Sequence, residues 1–424
     1  MTTETEQRAT PPKWRTIVST GAGNALEWFD WNAYAVFTPF FAAQFFPTHD
    51  STSAVLSSLA IFAVGFLMRP LGGLLFGWFG DRLGRRTAMI GSIALASGGS
   101  LLIGIAPTYE SIGIGAALLL VVARLCQGLG HGGEMPAVQT YVAEMAPQGR
   151  RGIWSSLVYV SGTSGILASS ALAAALTTAL PPGAMSAWGW RVPFLLGGVV
   201  GLYTLVMRLR LAETQVFDRQ RTAARPPLWR SFWEQRTACL RVIGLTVGST
   251  VVFYTWVVSA PAQAISIHEL DPAAALWVGA VANAVFILSL PLFGALSDRI
   301  GRRPLLLLSL VGSAVVIYPL SWLVRDQVWQ FAVAMIIALL VIAPGPAIMP
   351  TVFAELFPTQ MRTAGTGFPY AIATAAFGGS APYLQTWLAS GGRGDVFLGY
   401  AVVLLVISAV VAYRMPETKD ITLG

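Results

Sequence analysis

A ten-residue motif occurs twice in this chain with six of its positions identical, and that repeat constrains its fold more than any other feature. Gly77-Trp-Phe-Gly-Asp81-Arg82-Leu-Gly84-Arg85-Arg86 returns as Gly294-Ala-Leu-Ser-Asp298-Arg299-Ile-Gly301-Arg302-Arg303, 217 residues further along. Each copy sets one acid and three arginines in a Gly-punctuated turn between two long apolar runs. Self-similarity at a fixed offset means two structurally related halves. In a membrane protein, paired halves enclose a site at their interface.

The membrane class follows from composition. The chain is 55% hydrophobic and 11% charged, about half the charge of an ordinary soluble protein. Its net charge of +7 could suggest nucleic acid, so the distribution decides. The turn after Trp78 holds three arginines, the loop near Gln148 holds Arg150 and Arg151, and Arg219, Arg221, Arg225, Arg230 and Arg236 fall between the halves. The alternate loops near His49, Tyr109, Pro181 and Glu269 hold no Lys or Arg. That alternation is the positive-inside pattern and puts the basic loops in the cytoplasm. Nucleic-acid binding is therefore rejected, and the bilayer is the expected partner.

Apolar segments long enough to cross about 30 Å as helices run over 16–46, 53–79, 87–106, 113–143, 152–180 and 190–211, then 239–266, 273–297, 304–324, 327–354, 362–390 and 396–414. The expected fold is an all-α membrane protein of twelve transmembrane helices in two pseudo-symmetric six-helix bundles. Residues 1–15 and 415–424 form cytoplasmic ends around bundles 16–211 and 239–414, and the Arg-rich stretch 212–238 links them. The N-terminus lacks a signal-peptide pattern, so the first span is expected to stay. Trp188, Trp190, Trp277, Trp322, Trp329 and Trp387 lie near outer helix ends, where an aromatic belt belongs. Cys126 and Cys239 fall inside spans, so neither a disulfide framework nor a Cys-based metal site is supported. Pro344-Gly345-Pro346 interrupts span ten, and Pro369, Gly378-Gly379 and Pro382 punctuate span eleven. Broken backbone at that depth is tolerated where protein or a wet cavity satisfies it, although small residues also serve ordinary helix packing.

Two further pairs repeat. Ala143-Glu144-Met-Ala-Pro147 with Arg150 matches Ala354-Glu355-Leu-Phe-Pro358 with Arg362, and Glu213-Thr214 matches Glu417-Thr418. The doubled G-x-x-x-D-R-x-G-R-R turn resembles the signature of the major facilitator superfamily. Within it, Gly23-Asn24-Ala-Leu-Glu27-Trp28-Phe29-Asp30, Phe66-Leu-Met-Arg69-Pro70-Leu-Gly72-Gly73, Arg124-Leu-Cys-Gln127-Gly128 and Trp188-Gly-Trp190-Arg191-Val-Pro193-Phe194 resemble the metabolite:H⁺ symporter family. The resemblance implies proton-coupled uptake of a small organic anion through a bacterial inner membrane, with the proton as coupling ion and no other cofactor. A monomer is the expected state. His131, Met135-Pro136 and Trp256-Val-Val-Ser-Ala-Pro261 depart from the family pattern on cavity-forming helices, so fold and coupling carry over better than substrate identity.

Ionisable residues inside spans invite a functional reading because burial in the bilayer is costly. Asp30 lies about 21 Å into span one, with Glu27 a turn before and Tyr34 a turn after on the same face. Arg124 lies about 18 Å into span four, and Gln127, His131 and Glu134 follow on one helical face. The planar guanidinium fork suits a carboxylate, while Asp30, Glu27 or Glu134 can cycle a proton as access alternates. Tyr254, Asn283 and Tyr370 supply neutral hydrogen bonds from the second half. A static pair of Arg124 with Asp30 or Glu27, a structural Arg69 and a packing His131 are the alternatives. At the doubled turns, Asp81 and Asp298 can cap neighbouring helices while Arg85, Arg86, Arg302 and Arg303 pair with Glu144 and Glu355. That would form a cytoplasmic gate, the alternative being a positive-inside anchor. Of other functions, a drug exporter lacks its Gly-Pro motif on span five, a sensor lacks long extensions, a zwitterion such as a betaine also suits arginine with carboxylates, and an enzyme lacks any P-loop, HExxH or G-x-S-x-G.

Overall fold

The computed structural model describes residues 14–47, 51–82, 85–181, 183–209, 228–358 and 361–421. Among these there is no strand. Spans one to three are single helices, Trp14–Phe45, Ser51–Arg82 and Arg85–Gly104. Span four is two helices, Gly115–His131 and Glu134–Met145, separated at Gly132-Gly133. Spans five and six are Arg151–Ala179 and Arg191–Leu209. Spans eight, nine and twelve are Pro272–Ile300, Arg302–Leu323 and Gly394–Arg414. Span ten divides into Val328–Ile342 and Pro344–Glu355. Eight helices among the described residues are long and apolar enough to cross a membrane. Spans one and four, which carry Asp30 and Arg124, are not among the eight.

Spans seven and eleven share one irregularity. Span seven runs Arg236–Phe253, widens to a π-turn over Tyr254–Val258 and resumes over Ala260–Ser266. Span eleven runs Arg362–Ala373, widens over Thr374–Gly378 and resumes over Ala381–Ser390. The sequence Ser-Ala-Pro follows each π-turn, ending at Pro261 and Pro382. Proline has no N–H and its ring collides with the carbonyl four residues back, so the hydrogen bonding slips to a five-residue step. The Ser259 and Gly379 N–H groups donate to Tyr254 O and Thr374 O, both at 2.9 Å. The break expected in span eleven is therefore a widening at 374–378, and span seven holds a counterpart that the sequence reading left straight.

The helix pairings repeat in the two halves. Span one packs on five, two on four, three on four and three on six; seven packs on eleven, eight on ten, nine on ten and nine on twelve. Across the halves, five lies along eight, with eleven against two as the counterpart. The five–eight contact runs the whole length, from Gly152 beside Gly294 at the end bearing the basic turns to Trp277 donating to Thr178 at the other.

Polar side chains fix the one–five pair in register. Asn24 donates to Val158 O and Ser161 Oγ at 2.8 and 2.9 Å. Eight residues on, Asn32 donates to Ile166 O, Ser169 Oγ and Ser170 Oγ. Between them a Cβ on Gly165 would stand 1.9 Å from Ala25 O, so only glycine lets the backbones approach. Trp188, Trp277, Trp322, Trp329 and Trp387 are exposed, as a belt requires, but Trp190 is fully buried. It packs against Phe41, Phe45 and Phe194, because the preceding π-turn Met185–Gly189 turns it inward. Gly165→Ala should overpack the one–five interface by about 1–3 kcal/mol and lower the melting temperature in detergent. An unchanged melting temperature would mean that the pair has slack.

Candidate functional site

Two guanidinium groups and one indole form the centre of the first half. The Arg124 and Arg69 guanidinium carbons lie 3.9 and 4.0 Å from the Trp31 ring centroid. Arg124 also stands over Tyr34 at 4.5 Å and Phe62 at 5.1 Å. An arene face stabilises a desolvated cation by about 2 kcal/mol, so the three rings offset much of the several kcal/mol that burying a charge costs without supplying a hydrogen-bond acceptor. Arg124 is fully buried. Its Nη1 donates to Gln127 Oε1 at 2.8 Å, while Nε and Nη2 have no hydrogen-bond partner among the described residues. Half of its fork is open.

From Gln127 the hydrogen bonds run on to span three and then to span one. Gln127 Nε2 donates to Ser100 Oγ at 2.8 Å, and Ser100 donates to Asp30 Oδ2 at 2.6 Å. Asp30 and Arg124 are thus joined through two neutral side chains and not paired directly. Glu27 lies 3.9 Å from Arg69 and not beside Arg124. His131 packs 5.9 Å from Trp31 with its Nε2 unpartnered among the described residues. From the second half, Tyr254 faces Arg69, and its ring meets Phe66 edge-on at 5.1 Å. Tyr370 faces Tyr159 across the halves. Asn283 stands apart from this cluster. Its Nδ2 donates to Gly279 O and Val257 O, so it pins span eight to span seven. The side chain of Glu134 lies outside the described residues. Ser100 and Trp31 were not singled out from sequence; a serine in a small-residue run and one tryptophan among 14 carry no distinguishing signal.

The basic end carries a second polar assembly. Asp298, at the end of span eight, accepts from the Gly152 and Ile153 N–H groups at 2.7 and 3.0 Å. It thereby caps the first turn of span five in the opposite half, where a negative charge is favoured. Arg302 pairs with Asp298 at 2.8 Å and with Glu355 at 3.5 Å. Arg151 of the first half reaches Glu355 at 3.7 Å. Glu144 pairs across the halves with Arg362 at 2.5 Å, a partner that the sequence reading did not assign. Arg303 lies over Tyr413 at 4.6 Å, away from Glu144 and Glu355. Asp81, Arg85 and Arg86 have side chains outside the described residues.

Glu417 completes the assembly from beyond span twelve. It accepts from the Arg302, Arg303, Thr418 and Lys419 N–H groups at 2.8–3.0 Å. Burial alone would raise its pKa, but those four donors outweigh it and hold the carboxyl below the usual 4.5. A groove of about 480 Å³ beside Trp154, Pro291 and Arg299 flanks this assembly, far from Arg124. Toward the opposite face, only about 10 Å³ remains between Thr38, Val55, Gln263 and Thr386. Asp30, Arg124, Gln127, Tyr254 and Tyr370 are accordingly all buried.

The profile of the sugar (and other) transporter family matches twice in succession, over residues 16–225 and 218–424. The chain belongs to that family. Its members are transporters, and this protein is an integral membrane transporter and not an enzyme. It is similar to α-ketoglutarate permease of Escherichia coli strain K12, 36% identical over 94% of this chain and 93% of the permease. It is 32% identical to the citrate-proton symporter of Klebsiella pneumoniae over 88% of this chain and 84% of that one. A putative proline/betaine transporter of Staphylococcus aureus strain COL is also 32% identical, over 88% and 82% of the two chains. In fold the transporter matches a proton:xylose symporter of the major facilitator superfamily, with TM-score 0.74 at 17% identity over 96% of this chain and 97% of the other.

Because the depressed carboxyl of Glu417 is charged in the folded protein at neutral pH, its stabilisation is present above the usual carboxylate range and is lost as pH falls through its lowered value. Glu417→Gln should cost about 1 kcal/mol, as for a lost helix cap. The difference in melting temperature from wild type should narrow below about pH 4. A gap independent of pH would show that the charge is not what holds the tail.

Proposed function

We propose that this transporter couples inward proton movement to uptake of a small organic anion, a mono- or dicarboxylate, by alternating access. Its basic end lies in the cytoplasm of a bacterial inner membrane, with both termini on that side, and it works as a monomer. The observation that carries the anion is the half-open fork of Arg124, a fully buried guanidinium whose Nε and Nη2 have no partner among the described residues. A carboxylate can take both in a bidentate contact. The names of the permease and citrate-symporter relatives support the same reading.

Proton coupling is assigned to Asp30 first, then Glu27 and His131. Asp30 is buried and tied by hydrogen bonds to Arg124, so a proton there changes the charge balance around the anchor. The latch of Asp298, Arg302, Glu355, Glu144 and Arg362 closes the cytoplasmic side and must part for inward release. Cross-half contacts made of ion pairs and caps can break and re-form without exposing a large apolar core.

The betaine-named relatives raise a zwitterionic substrate as a second reading. Against it, two guanidinium groups already occupy the Trp31 ring, so an ammonium group there would meet like charge.

In proteoliposomes, α-ketoglutarate should accumulate only under an inward proton gradient, in preference to the tricarboxylate citrate. Proline, glycine betaine and xylose should not. Arg124→Lys keeps the charge without the fork and should weaken binding at least tenfold, and Arg124→Ala should abolish it. Asp30→Asn should lose uphill accumulation while retaining exchange. Normal binding in Arg124→Ala, or betaine as the sole accumulated compound, would overturn the carboxylate assignment.

A further inference from the structure

Every donor in the chain from Arg124 to Asp30 points the same way. Arg124 donates to Gln127, Gln127 to Ser100, and Ser100 to Asp30. That polarity suits an ionised carboxylate at one end and a cation at the other, each strengthening the bonds between them. The Ser100 hydroxyl also has a second acceptor within reach, Ala96 O of its own helix, at 3.3 Å. A hydroxyl has one proton to give, so it bonds well to either Asp30 or Ala96 but not to both.

We propose that Ser100 is a positioning residue that passes the protonation of Asp30 to Arg124, its hydroxyl turning between Asp30 and the Ala96 carbonyl. With Asp30 ionised, the chain is drawn taut and Gln127 holds Arg124 Nη1. When Asp30 takes a proton, the charge that orients Ser100 is gone and the hydroxyl turns to Ala96 O. Gln127 then loses its aligned partner, and the Arg124 fork is released to the substrate carboxylate. The order of events is proton first, anion second.

The surroundings leave few rival routes. Arg124 is the one charged group acting on Asp30 among the described residues. The other oxygen, Oδ1, faces Gly197 of span six, where a Cβ would stand only 2.2 Å away. Span three offers Ser100, which carries no charge. Around Arg124 itself stand Tyr34 on span one, Arg69 on span two and Tyr254 on span seven, with His131 acted on by both arginines.

This inference rests on the assignment of Arg124 as carboxylate anchor, and the test separates the two. Binding of α-ketoglutarate to purified protein is measured from pH 5.5 to 8, where both of its carboxylates stay ionised. Wild type should bind about tenfold more tightly at the acid end, the effect of one charge-assisted hydrogen bond. Ser100→Ala should still bind, with that ratio reduced below about threefold, and Ser100→Thr should restore it. A ligand-free measurement accompanies it: the pH midpoint of the Asp30 carboxyl stretch by infrared difference, assigned through Asp30→Asn. Gln127→Leu does not touch Asp30, yet it should move this midpoint by about one unit, because linkage is reciprocal. A wild-type pH ratio in Ser100→Ala, or an unmoved midpoint in Gln127→Leu, overturns the relay. If Arg124→Ala binds normally, the anchor is wrong, and the infrared midpoint still decides whether the relay exists.

Discussion

Arg124 is the charge around which the first half is organised. A guanidinium out of water needs partners, and the fold gives it three aromatic faces and one amide. None of these carries a negative charge. Two acids among the described residues are held off, Asp30 behind Ser100 and Gln127 and Glu27 beside Arg69. A direct ion pair would satisfy Arg124 permanently and leave little for a substrate to contribute. Partial satisfaction leaves Arg124 Nε and Nη2 without a partner among the described residues, and differential affinity for such a group is what a ligand uses to shift a conformational equilibrium.

The same logic separates the interior of each half from the contact between them. Within the first half, spans are fixed by close backbone approach and by the Asn24 and Asn32 hydrogen bonds, arrangements without an alternative partner nearby. Between the halves at the basic end, the links among the described residues are a helix cap, two ion pairs and the tail after span twelve. Arg151, at the head of span five, donates to Ile421 O and reaches Glu355, so the tail touches both halves. Rigid halves with separable polar links are what rocking about a central site requires. The π-turn of span seven follows Phe253, whose ring meets Trp28 and Tyr159 of the first half, and the π-turn of span eleven packs against span two.

The sequence by itself determined the twelve-helix plan and the two-half symmetry. Helix spans follow from hydrophobic length alone, and a repeat in sequence is a repeat in structure. It also determined that Asp30 and Arg124 are buried, since neither can leave its span. What the tertiary structure decided is partnership. Glu27 and Arg124 lie on helical faces that look compatible, yet Glu27 meets Arg69. Glu144 meets Arg362 of the other half, and Arg303 turns to Tyr413. Trp190 reads as a belt residue by its depth, and only the π-turn before it shows that it points inward. Pairing depends on the rotation of each helix about its axis and on a few ångströms of approach between helices. Periodicity fixes the face of a helix but not its neighbour, and so Ser100, a side chain with no signal of its own, became visible only when span three was laid between spans one and four.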